Sequence, residues 1–249
     1  VPTLAGAALS TERIGLGTFV ASPNYRHPVP FAKDLATLDD LAGGRLLLGV
    51  GSGGTGFDAT VLGDEVLSPR DRHARFVEFV RALDVLLRFE DPGSGGISFT
   101  GDWYTAVSAR MVGDPAQRPR MPLLVAANGP KTIRFATGYD GWVTTGAEAE
   151  PGGSAGWWRH IGELRERFDE AWAAAGRAGE PVRMLSLDSD GVYTLASEQA
   201  FIDAVGRADE LGFTDVIVHW PRADGIYAGD EAVLEAIAAS GFGGFSETR

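Results

Sequence analysis

Two places in this chain combine an apolar run with a glycine-rich stop, and at both a ligand could lie against bare backbone. The first is Leu46, Leu47, Leu48 and Val50 followed by the loop Gly51-Ser52-Gly53-Gly54. A run so uniformly apolar fits a parallel strand covered on both faces. Parallel α/β proteins hold ligands at the carboxyl ends of such strands. Gly49 to Gly54 spells G-x-G-x-x-G, but a dinucleotide fingerprint needs a helix opening inside the match. Here residues 55–68 intervene before the next amphipathic run, which starts at Pro69. Three readings stay open: a dinucleotide turn, a tight turn chosen for packing, and a phosphate or ring site in a barrel mouth.

The second place is VAANGPKT, Val125 to Thr132. Asn128 and Gly129 sit between a strand and a helix that Pro130 opens in the favoured first-turn position. The first amides of that helix and its positive end would stabilise an anion, with Lys131 close by. An ordinary Asn-Gly turn is the competing reading.

The remaining reactive side chains are few. The histidines are His27, His73, His160 and His219, none paired with another at metal-ligand spacing, so no metal site is expected. His73 and His160 fall on helical runs and read as surface residues. His219, with Trp220, follows the last apolar run, FTDVIVHWP, where a barrel mouth would lie, and is the catalytic candidate; a structural histidine is the alternative. Gly152-Gly153-Ser154-Ala155-Gly156 spells a nucleophile elbow without a strand leading into it, which argues against a serine hydrolase. Asp39, Asp40 and Arg45 flank a helix-to-strand corner and read as an ion pair.

The elements that must position these residues alternate. The opening VPTLAGAALSTE reads as a helix tail, and strand runs follow at RIGLGTFVA, RLLLGV, PLLVAANG, WVTTG, VRMLSLDSD and FTDVIVHWP. Between them lie helical runs with apolar residues three or four apart. One stripe is Leu38 and Leu41, stopped by Gly43-Gly44; the next is Phe76, Val80, Leu83 and Leu87. Later stripes are Ile161, Leu164, Phe168 and Trp172, then Phe201, Ile202, Val205 and Leu211. From about Asp91 to Met121 the alternation breaks at ISFTGDWYTAV, a small antiparallel hairpin inserted between units. Glu148 to Gly156 is the candidate lid, being rich in Gly and Pro.

Alternating βα units imply an α/β fold with a parallel sheet, open and doubly wound or closed into a (β/α)8 barrel of the TIM type. A closed barrel needs eight units and six are present, so about two N-terminal units, roughly 50–60 residues, are expected to be missing from a single domain covering 1–249. Val1 in place of methionine agrees with this. The absence of cysteine excludes disulfides and thiolate catalysis. A net charge of −12 argues against nucleic acid and anionic membranes. No apolar run approaches the roughly 18 residues of a membrane span, and no signal segment is evident, so a cytoplasmic protein is expected.

Together these segments resemble the luciferase-like monooxygenase superfamily, in its flavin- and deazaflavin-dependent branch. The resemblance rests on STERIGLGTFVASPNYRHPVPFAKDLATLDDLAGGRLLLGVGSG, the hairpin, PLLVAANGPKTIRFATGYDGWVTTG and ELGFTDVIVHWP. It implies a (β/α)8 barrel whose mouth binds coenzyme F-420 or FMN. TFVASPNYRHP most resembles the deazaflavin branch. It also implies that Ser52 and Gly53 border the cofactor, and that Asn128, Gly129, Pro130 and Lys131 lie near its phosphate beside Thr145 and Gly146. A non-proline cis peptide is implied near Thr18-Phe19, behind the ring. Gly54 stands where the sugar-phosphate dehydrogenase members carry a catalytic glutamate, which argues against sugar-phosphate oxidation.

The expected function is hydride transfer or monooxygenation of a small organic substrate, with a flavin reductase as partner if FMN is used. Tyr25, Phe57 and Trp220, with Phe19, would give that substrate an apolar and aromatic surround. The alternatives are a non-catalytic flavin-binding protein of the same fold and a metal-dependent barrel hydrolase. The hydrolase would need His and Asp clustered at strand ends. Open strand edges would favour a homodimer.

Overall fold

Proline opens several helices and left-handed glycines close the turns, so local chemistry marks most element boundaries. The computed structural model describes residues 1–88, 95–113, 115–146 and 153–240. It divides into two compact units, Val1–Ala126 and Ala127–Arg249.

The first unit runs α1 (Pro2–Ser10), β1 (Leu16–Ala21), α2 (Pro28–Leu41), β2 (Leu46–Val50), α3 (Phe57–Thr60), α4 (Pro69–Leu87), β3 (Ile97–Thr100), β4 (Thr105–Ala109) and β5 (Leu123–Ala126). β1, β2 and β5 pair in parallel in that order. The expected hairpin is present as antiparallel β3 and β4. Its turn is stapled to α4, whose Glu78 carboxylate accepts the backbone N–H of Asp102, Trp103 and Tyr104. The core forms where α2 meets α4: Leu35, Leu38, Phe76, Val80 and Leu83 are buried, and the Phe31 and Phe79 rings stack at 6.2 Å.

The second unit runs α5 (Pro130–Ala136), β6 (Gly141–Thr144), α6 (Gly153–Ala174), β7 (Val182–Ser186), α7 (Glu198–Glu210), β8 (Asp215–Ile217) and α8 (Glu231–Ala239). β6, β7 and β8 are parallel neighbours. The stripe Ile161, Leu164, Phe168 and Trp172 is buried as its spacing predicts, and Trp142 of β6 stacks on Phe168 at 5.0 Å.

Several expectations need correction. Leu41 is exposed, because α2 buries Phe31, Leu35 and Leu38, and Leu41 comes one residue before its stop. Ile202 is also exposed: the buried positions of α7 are Val205 and Ala208, and Ile202 lies off that stripe. Arg45 makes no corner ion pair. Its guanidinium donates instead to the carbonyls of Ala8, Thr11, Ile14 and Ala42, joining the end of α1 to β1. Asp39 is buried as an acceptor for the Leu46 N–H and the Gln117 amide. The loop after β2 contains the short helix α3. β7 ends at Ser186 and β8 at Ile217, so Asp188 and His219 lie beyond their strands. Of the candidate lid, residues 148–152 lie outside the described residues, and Gly153–Gly156 begin α6. Residues 91–94 and 114 of the inserted segment also lie outside them.

Candidate functional site

The glycine loop after β2 is filled by its own protein. Thr18 pairs with Leu48 and Ala21 with Val50, so β1 bulges between them. The non-proline cis peptide lies in that bulge, at Phe19–Val20, one residue beyond the expected Thr18-Phe19 bond. Thr18 Oγ1 donates to the Gly49 carbonyl at 2.7 Å. A Cβ on Gly49 would sit 2.2 Å from the Thr18 carbonyl oxygen, and one on Gly51 would sit 2.6 Å from a Val20 methyl. Gly53 has φ +81° and is covered by the Asn24 side chain. Packing therefore accounts for these glycines.

Asn24 is the organiser of this loop and carries no signal that sequence reading picked out. It is buried, and its Nδ2 donates to Asp58 Oδ2 at 3.0 Å while Oδ1 accepts from the Arg75 guanidinium. Asp58 Oδ2 also accepts the Gly54 N–H at 3.1 Å. Sequence separations of 34 and 51 residues hide the cluster from any local pattern. Around it Phe19 and Tyr25 are partly exposed and Phe57 is largely exposed. Ser52 lies half-buried in the same loop.

The ends of β5 and β6 are braced differently. Asn128 Oδ1 accepts from Thr144 Oγ1 at 2.7 Å, and its Nδ2 donates to the Gly146 carbonyl at 2.6 Å. The same Thr144 Oγ1 accepts the Gly146 N–H at 3.0 Å. Gly146 has φ +70°, and Trp157 Nε1 occupies the place a Cβ would take, 2.5 Å away. That indole N–H donates to the Thr145 carbonyl. Asn128 is thus a brace between strand ends, and Thr144 and Trp157 are partners the sequence reading missed.

At Gly129 the surroundings are open, as they also are at Gly6, Gly56 and Gly206. The φ of Gly129 is −94°, ordinary for any residue, and nothing lies within 4 Å of a Cβ built there. Neither conformation nor the protein's own packing calls for glycine. Pro130 and Lys131 follow at the exposed start of α5.

At the ends of β7 and β8, His219 Nδ1 lies 3.0 Å from Asp188 Oδ2, and the Asp188 side chain is fully buried. The imidazole stacks on Tyr227 at 3.9 Å and 6°. Tyr193 donates its hydroxyl to the His219 carbonyl, and its phenol is held above its ordinary range by burial and by the Asp188 charge. Trp220 is exposed, its indole N–H bonded to Glu231 Oε1. An acidic residue directly after the apolar run of β7 was the available signal for Asp188. Elsewhere, His73 and His160 are half-buried on α4 and α6, and Ser154 donates to Asp190 Oδ2 at 2.9 Å. Among the described residues, no group of three or more His, Cys, Asp or Glu is placed to hold a metal ion. No helix described is long and apolar enough to cross a membrane.

A parallel α/β framework with side-chain networks at the strand ends is the setting in which comparison with known proteins becomes informative. The model of the luciferase-like monooxygenase family matches residues 1–188, and the chain belongs to that family. An uncharacterized protein of Mycobacterium tuberculosis is 32% identical over 223 residues, covering 88% of this chain and 68% of the relative. The F-420-dependent glucose-6-phosphate dehydrogenase of Beutenbergia cavernae is 39% identical over 147 residues, covering 58% of this chain and 41% of the relative. Among solved structures, a monooxygenase from Streptomyces bottropensis superposes with a TM-score of 0.64 at 23% identity, covering 97% of this chain and 64% of that one. Such likeness shows the fold, the α/β barrel type expected from the alternation. Further matches are named as F-420-dependent dehydrogenases and as monooxygenases, and one matching structure was solved with FMN.

Proposed function

We propose that this chain belongs to an oxidoreductase that uses a phosphorylated flavin-type cofactor, coenzyme F-420 in preference to FMN, on a small organic substrate. The observation that carries this reading is the match of residues 1–188 to the luciferase-like family. Gly129, exposed at the head of α5 with open space where a Cβ would stand, leaves room for close approach of a ligand. Membership of the luciferase-like family supplies the class of ligand.

When bound, the cofactor supplies hydride transfer, or oxygen chemistry if it is FMN. The chain's own residues hold it and handle protons. In the second unit Gly129, Pro130 and Lys131 take the phosphate side, Lys131 as the nearby cation, while Asn128 and Thr144 keep Thr145 and Gly146 in place. Considered by itself, the first unit offers Thr18 and Phe19 in the bulge, and Ser52 and Gly53 in the loop locked by Asn24, as its candidate cofactor contacts. Tyr25 and Phe57 in the first unit, and Trp220 in the second, are exposed aromatic candidates for substrate contact within their own units. His219 is the residue that takes and returns the proton. A cytoplasmic homodimer, served by a flavin reductase if FMN is the cofactor, completes the proposal.

Fluorescence titration with F-420 and FMN side by side tests it. Preferential F-420 binding followed by cofactor reduction with an organic donor is the expected result. Binding without turnover would make the protein a cofactor carrier, and failure to bind either compound would overturn the reading.

A further inference from the structure

We infer that Asp188 is a positioning residue that locks His219 in the Nδ1–H tautomer and so presents Nε2 as a proton acceptor beyond the end of β8. The inference deepens the proposed function and rests on its assignment of proton transfer to His219.

The carboxylate of Asp188 is fully buried, accepts two backbone hydrogen bonds and faces the imidazole. Oδ1 takes the Thr194 N–H at 2.8 Å; Oδ2 takes the His219 N–H at 2.6 Å and faces His219 Nδ1 at 3.0 Å. The two backbone amides hold the loops after β7 and β8 together, whatever the state of the ring. The imidazole is a different kind of partner, since a neutral ring carries one proton and can place it on either nitrogen. An ionised carboxylate can only accept, so it draws that proton to Nδ1 and leaves the lone pair on Nε2.

The remaining freedom of the ring is removed by its neighbours. Tyr227 stacks face to face and fixes the ring plane, and Tyr193 holds the His219 carbonyl at 3.0 Å. The side chain of His219 keeps 30% of its surface exposed, so the ring is not sealed off from a reactant. The titratable and charged groups around it are Asp188, Tyr193 and Tyr227, with the Arg222 guanidinium over the far ring, 5.8 Å from the Tyr227 centroid. Glu231 is engaged by Trp220. Among the described residues Asp188 is the one carboxylate in contact with the imidazole, and its negative charge faces the ring when Nε2 receives a proton. A base that gains a proton beside a fixed negative charge can release it again without moving.

NMR of isotopically labelled histidine in the unmodified protein is the first test, with the His219 signals assigned by their loss in His219→Asn. A neutral ring protonated at Nδ1 is expected; one protonated at Nε2 would overturn the inference. In Asp188→Asn, whose side chain can both donate and accept, the neutral His219 ring should lose its fixed Nδ1 protonation and populate both tautomers, and an unchanged Nδ1–H signature would overturn the inference. His219→Asn keeps a donor where Nδ1 stood but has no counterpart of Nε2. It should fold and bind cofactor as the parent does while kcat falls about a hundredfold. Unchanged kcat would overturn the role of His219. A protein that binds neither cofactor would sink the proposed function while leaving the tautomer result to stand or fall by itself.

Discussion

The loops after β2 and after β5 both interrupt an apolar strand with glycine, yet their glycines meet different surroundings. After β2, the positions a Cβ would take at Gly49, Gly51 and Gly53 are held by Thr18, Val20 and Asn24. After β5, the position at Gly129 is empty, while the brace beside it is built from Asn128, Thr144 and Gly146. A glycine whose Cβ position its neighbours already fill is explained by packing, whereas an open one, such as Gly129 or Gly56 further along the first loop, leaves room for a ligand. The longer and more conspicuous glycine run is therefore mostly a packing feature.

The largest effect that would break this comparison is expected at Gly49. An alanine there meets a backbone carbonyl that only a shift of β1 can move, and should cost about 3 kcal/mol or more by chemical denaturation. A cost under about 1 kcal/mol would mean the loop has room to spare. Gly146→Ala should cost about 2 kcal/mol, since it combines a positive φ with the fixed indole of buried Trp157. Next in size is Thr144→Val, which strands Asn128 Oδ1 and the Gly146 N–H; about 1–2 kcal/mol of stability should be lost, with cofactor affinity falling alongside.

Gly129→Ala sharpens the contrast from the other side. Thermal and chemical stability should stay within about 0.5 kcal/mol of the parent, while F-420 or FMN affinity, measured by fluorescence titration, drops about tenfold. A stability loss like that of Gly49→Ala would place both loops in one category, and an unchanged affinity would remove Gly129 from the proposed cofactor contacts.

Much of the framework was legible in the residues. The run Leu46–Val50, the four-three-four stripe of Phe76, Val80, Leu83 and Leu87, and the Gly-Asp turn of the hairpin each announce an element through its own periodicity. Where reading failed, a neighbour outside the local pattern decided the outcome. Arg45 sits among acidic residues in sequence, but the carbonyls at the end of α1 were the acceptors within reach. Ile202 and Leu41 have apolar side chains and lie off the buried stripes of their helices. Asp188 and His219 are 31 residues apart, and only the adjacency of parallel β7 and β8 brings them together.

The order of residues alone sets the alternation of strands and helices, the apolar faces and the strand ends at which chemistry can be sited. These follow from covalent geometry, because side-chain periods of two and 3.6 are properties of the chain's own dihedral angles. Tertiary structure alone decided what each strand end is for. The bulge that sets Thr18 over Gly49, the indole that fills the space beside Gly146 and the buried carboxylate that holds His219 depend on register between distant segments. Pairwise distances of that kind arise only when the packed core fixes one segment against another.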